Sequence, residues 1–225
     1  MHRNGAVAAS ILVCMLVSVF GGFGSPRSAW GASGPDVRAV LQALAERMKD
    51  VKTIQTSFTE TKRLRMFKHE IVLTGSAFME KPDRFAWHTR APMRSALVLK
   101  DDKATRWNED TDRVEAFASD DLFLLKTVID YARSWFYGSY LPMLDEYSID
   151  VLNLQPLTLE FRPRPNTRPA ALLRNVEVRF KADQSYIQSI KFIERNGNQS
   201  LIEFTGTVIN EALDESVWDV RRGQG

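Results

Sequence analysis

LTGSAFMEKPDRFAWHTRAP, residues 73–92, holds two β-strands and the turn between them. In the first strand, residues 70–79, Ile71, Leu73, Gly75, Ala77 and Met79 alternate with Val72, Thr74, Ser76 and Phe78. In the second, residues 84–89, Phe85 and Trp87 share one face while Arg84, Ala86 and His88 take the other. A two-residue period is the signature of a pleated strand with one buried face. Lys81-Pro82-Asp83 between them reads as a turn, so the two strands pair antiparallel.

The same pattern extends in both directions. Residues 54–62 place Ile54, Thr56 and Phe58 in alternation, and residues 95–100, 104–108 and 113–117 continue as short strands separated by Asp101-Asp102-Lys103 and residues 109–112. No gap is long enough for a crossover helix, so these are meander connections. Further strands are predicted at residues 147–152, 157–162, 173–181, 186–195 and 199–209, with residues 163–169 as an extended, proline-fixed loop. Asn196-Gly197 is the strongest hairpin signal in the chain. Ten or eleven strands with only helical interludes imply an α+β fold built on a single curved antiparallel sheet.

Three stretches break the period. Residues 36–49 form a predicted amphipathic helix, with Val37, Val40, Leu41, Leu44 and Met48 on one stripe. Residues 119–132 predict a second helix, with Ser119 as N-cap and Leu122, Phe123, Leu125, Val128 and Ile129 as its apolar set. Residues 134–141 predict a third, carrying Trp135, Phe136, Tyr137 and Tyr140 and stopped by Pro142. The last two are too apolar to have an ordinary wet face, while Lys126, Asp130 and Arg133 exclude a membrane span.

Residues 6–20 form an uncharged, largely apolar run behind His2 and Arg3, broken by Gly21, Gly22, Gly24 and Pro26. Ala29 and Gly31 supply small residues for a cut, so residues 1–31 read as a cleaved export signal and 32–225 as one domain. Cys14 lies inside that leader, and the remaining chain has no thiol chemistry. The chain has 30 Lys+Arg against 28 Asp+Glu, and the leader contains Arg3 and Arg27 but no acid. Without them the charges balance, and no electrostatic case for a nucleic-acid partner remains.

The chemistry-bearing patterns are missing. His69 and His88 belong to no metal-ligand spacing, and no nucleophile elbow, phosphate-cradling glycine loop or dinucleotide fingerprint occurs. Asp101-Asp102 and Asp120-Asp121 have turn and helix-start roles to fill. No catalytic residue, metal or cofactor is therefore expected, and the chain reads as a non-enzyme. What remains is an aromatic and aliphatic surplus: Phe58, Phe78, Phe85, Trp87, Leu97, Leu99, Trp107 and Phe117 on the strands, and Leu122, Leu125, Ile129, Trp135, Phe136 and Tyr137 on the helix pair. Periodicity alone does not separate a filled core from an apolar pocket.

The order of helix, TIQTSFTETKRL, LTGSAFMEKPDRFAWHTRAP, SALVLKDDKATRWN, apolar helix pair and closing sheet resembles the LolA family of lipoprotein carriers. The likeness spans residues 37–219, and its most specific part is Gly75, Lys81-Pro82, Phe85-x-Trp87 and Pro92. The resemblance implies an unclosed half β-barrel whose apolar concave face lies under a helical lid. It implies a periplasmic carrier of acylated lipoproteins, taking cargo from an inner-membrane lipoprotein-releasing transporter and passing it to an outer-membrane receptor. It implies that Phe85 and Trp87 hold the family's apolar positions and that Lys81 stands where family members use an arginine to latch the lid; the strand residues above are expected to line the lipid cavity and the helix-pair residues to form the lid. Lysine keeps the charge without the planar donor fork, so a weaker latch is expected. A monomer is expected. A carrier or sensor of another envelope lipid stays open as an alternative, with an undetected hydrolase behind it.

Overall fold

A computed structural model describes residues 36–117, 129, 130 and 132–221. The first helix, α1, spans Val37–Met48, and Asp36 caps it by accepting the Arg38 amide at 3.0 Å. Leu41, Leu44 and Met48 form its buried stripe.

Six strands follow: β1 (Thr53–Arg63), β2 (Ile71–Glu80), β3 (Arg84–Ala91), β4 (Ser95–Lys100), β5 (Lys103–Asn108) and β6 (Arg113–Ala116). After residues 129–136, helical where described, and a 3-10 turn at Leu141–Asp145 come β7 (Tyr147–Leu154) and β8 (Leu157–Pro163). A one-turn helix α2 (Arg168–Leu172) leads into β9 (Leu173–Phe180), β10 (Ile187–Glu194) and β11 (Gln199–Ile209), and a 3-10 turn at Glu215–Trp218 follows.

The eleven strands make one antiparallel sheet in the order β6-β5-β4-β3-β2-β1-β11-β10-β9-β8-β7. Its two ends, β6 and β7, do not pair, so the sheet is not closed. Every neighbouring pair is a chain-sequential hairpin except β1 with β11. The Asp101-Asp102 turn has both residues in the left-handed region (φ 51 and 60), the backbone of a two-residue hairpin matched to strand twist. Gly197 (φ 88) serves the β10–β11 hairpin as its sequence indicates.

Two prolines act differently from their predicted roles. Pro142 opens the Leu141–Asp145 turn where it was expected to stop a helix, and Pro169 is buried in the first turn of α2 where an extended loop was expected. Both follow from one property: proline lacks the amide that a first helical turn leaves unbonded anyway.

The sheet carries an apolar core on each face. The larger covers the inner face under α1 and the aromatic helical segment, and joins Phe85 and Leu99 near one edge to Leu159 and Phe161 near the other. The smaller lies on the outer face of β2–β5, where residues 211–221 cross as a strap and bury Val217, Trp218 and Val220 on Phe78, Ala86, Ala96, Val98 and Trp107. His88 binds the strap through Nε2 and the Val217 carbonyl oxygen, 2.8 Å apart. Glu215 joins the strap to Arg84 (2.8 Å) and Lys100 (3.0 Å).

Candidate functional site

The inner face is built by strand parity. Alternate residues of β1, namely Ile54, Thr56, Phe58, Glu60 and Lys62, are buried. Phe58 pairs with Gly75 across β1–β2, and a Cβ added at Gly75 would stand 2.5 Å from the Phe58 ring and 2.0 Å from the His88 carbonyl oxygen. The bare glycine lets Phe58 lie flat across β2 and stack on Trp87, ring centroids 4.0 Å apart, with Phe85 next in line at 6.4 Å from Trp87. Gly75, Phe58 and Phe85-x-Trp87 thus belong to one packing arrangement in this chain.

Across the seam the face continues through Phe204, Phe192, Phe161 and Phe180. The helical segment packs against it ring by ring: Phe136 on Phe204 (5.0 Å), Trp135 on Phe192 (5.4 Å) and Tyr140 on Phe161 and Phe180 (6.0 Å each). The Tyr140 hydroxyl donates to the Trp135 carbonyl, and burial raises its pKa far above the usual phenol range. Gly138, at φ +74, approaches α1 so closely that a Cβ would stand 2.9 Å from that of Met48.

Of the strand residues singled out from sequence, Phe58, Phe85, Trp87 and Leu99 are buried on the inner face, with Leu97 and Phe117 packed at its margin. Phe78 and Trp107 are not with them. Both belong to the outer core, under the strap, because Phe78 has the opposite parity to Met79 and Trp107 pairs with Ala96 in register with His88. Trp107 Nε1 donates there to Asp112 (3.0 Å). Of the helix-pair residues, Ile129, Trp135 and Phe136 are buried in the inner core and Tyr137 packs at its edge. Leu122 and Leu125 lie outside the described residues.

Lys81 reaches both pieces that cover the inner face. Its Nζ donates to the Lys49 carbonyl at the end of α1 (3.3 Å) and sits 4.8 Å from the Tyr137 ring centroid. The Tyr137 hydroxyl in turn donates to the Lys52 carbonyl (3.4 Å).

One inner-face feature was missed. Glu60 and Lys62 are buried side by side, Nζ 3.5 Å from Oε1, in phase with Phe58. Burial pushes the Glu60 carboxyl up to about 7, against the pull of Lys62 and of the Ser200 hydroxyl. The alternation of Phe58, Glu60 and Lys62 was the available signal.

Among the described residues no helix is long and apolar enough to cross a membrane. A family model described as outer membrane lipoprotein carrier protein LolA matches residues 49–220. The chain belongs to the LolA family. A protein of Hahella chejuensis described as outer-membrane lipoprotein carrier protein is 24% identical over 182 residues, covering 80% of this chain and 83% of its own. One of Pseudomonas fluorescens with the same description is 22% identical over 152 residues, covering 67% and 69%. Among solved structures, an uncharacterized conserved protein of Thermus thermophilus is similar in fold, with a TM-score of 0.50 at 8% identity, covering 81% of this chain and 93% of its own. For this LolA-family chain the unclosed antiparallel sheet is observed directly, and its fold is similar to that of the Thermus thermophilus structure.

Proposed function

We propose that this chain is a periplasmic carrier that shields the acyl chains of lipoproteins on its inner face and ferries them from the inner to the outer membrane. The observation that carries this reading is the apolar inner face, aromatic from Phe85 to Phe161 and covered by a segment that packs on it ring to ring. Each acyl methylene removed from water contributes about 0.8 kcal/mol. A multiply acylated cargo therefore needs an enclosure to cross an aqueous space, and non-directional contacts let it leave again for a bilayer. In this reading Phe58, Phe85, Trp87, Leu97, Leu99 and Phe117 meet the acyl chains as Ile129, Trp135, Phe136 and Tyr137 lift. Residues 1–31 are the export leader, and 32–225 the carrier domain. An inner-membrane releasing transporter and an outer-membrane receptor are its partners.

Native mass spectrometry of the protein recovered from a periplasmic fraction tests the reading. The expected result is a chain starting near Ala32 or Ser33 with added mass matching an acylated lipoprotein. Added mass matching a free envelope lipid would replace the cargo assignment, and a chain that never carries lipid would overturn the carrier reading.

A further inference from the structure

Within the apolar inner face, the Glu60–Lys62 pair is out of keeping with its surroundings. Both side chains are buried, Glu60 with 1% of its surface exposed and Lys62 with 4%. Glu60 Oε1 faces Lys62, while Oε2 is buried without a hydrogen-bond partner among the described residues. An unsatisfied buried oxygen of this kind is costly, and removing a buried ion pair in favour of apolar residues is often neutral or stabilising. Stability alone therefore gives no reason for the pair.

Its neighbours share the condition. Phe58, two residues along the same face of β1, stacks on Trp87, whose Nε1 is also buried without a partner among the described residues. On the other side, Lys62 pairs with Ser200 of β11, Ser200 with Phe192 of β10, and Phe192 packs on Trp135, whose Nε1 likewise has no partner among the described residues. The inner face thus holds one buried acceptor and two buried indole donors that lack partners among the described residues.

Resting on the carrier reading, we propose that Glu60, with Lys62 holding its charge, is the polar anchor of this face, binding a hydrogen-bond donor at the head-group junction of an acyl lipid. The donor is an amide N–H or a hydroxyl. The aliphatic face then fixes how many methylenes are buried, and Glu60 fixes where the chain begins. Such a site distinguishes ligands by their junction, since an analogue without the donor leaves a buried acceptor unpaired.

Displacement of a dansyl-labelled fatty acid from the full chain at about pH 8.5, where Glu60 is mostly ionised, tests this with three competitors of equal acyl length: methyl oleate, monooleoylglycerol and oleamide. The hydroxyl and amide compounds are expected to compete about tenfold better than the ester, as one hydrogen bond to a charged group allows. A preference for monooleoylglycerol alone assigns the donor as hydroxyl, and for oleamide alone as amide. In the Glu60→Leu/Lys62→Met double variant, methyl oleate should still bind while the preference disappears. Equal competition by all three in the wild type overturns the anchor and leaves the carrier reading standing, and that comparison needs no variant to fold. Failure of the wild type to bind the probe or any competitor overturns both.

Discussion

Gly75 has no side chain, and Phe58 fills the space one would take. A methyl group there would collide with the His88 carbonyl, which belongs to the sheet backbone, so relief requires the β2–β3 pairing to shift. Gly75→Ala is expected to destabilise the protein by about 2 kcal/mol, as overpacking of a tight core does, and to change Trp87 fluorescence by disturbing its stack. Denaturant melts within error of wild type would show that the close approach is not needed. Glu60 gives a second residue-scale expectation. Its folded carboxyl titrates at about 7 and an unperturbed glutamate at 4.5, so between those values folding takes up a proton. Stability from this group is therefore lost as pH rises through that window. Glu60→Gln does not titrate, so its stability relative to wild type should improve by roughly 2–4 kcal/mol between pH 5 and pH 8. Urea denaturation at both pH values measures this, and a constant difference would refute it. Both residues sat in plain view in the sequence: Gly75 opposed Phe58 only once register was known, whereas the parity of Glu60 and Lys62 was readable from β1 alone.

Elements were legible where one period dominated. The strands from β1 to β11 and helix α1 follow from alternation and from the three- and four-residue stripe, with ends differing by a residue or two as fraying ends do. Alternation also held the answer for Phe78, which falls in the set opposite Met79, but aromatic character drew it into the inner set. Trp107 was harder, because its face depends on how β5 registers on β4 and on a strap that has no period at all. The segment covering the inner face yields the element-scale prediction. Lys81 bonds the end of α1 and lies on the Tyr137 ring, so it bridges the two covering pieces. Lys81→Leu should speed hydrogen exchange at residues 132–137, and Lys81→Arg should slow it, because the guanidinium stacks and donates with less dehydration. Equal protection in all three proteins would make Lys81 an ordinary surface lysine.

At the scale of the molecule, ten sheet pairings divide unequally. Nine join strands that follow one another along the chain, while the tenth brings Ile54 to Ile209 and Arg63 to Gln199. The sheet is in effect two local meanders, β1–β6 and β7–β11, zipped along a single seam of high contact order. Loop-closure entropy falls mostly on that one step, so each meander should gain its hairpins early and the seam should set the folding rate. The seam also crosses the middle of the inner face, with Glu60 on β1 and Ser200 on β11. A molecule lodged there would touch both meanders at once, and would act as a clasp on the joint expected to assemble last.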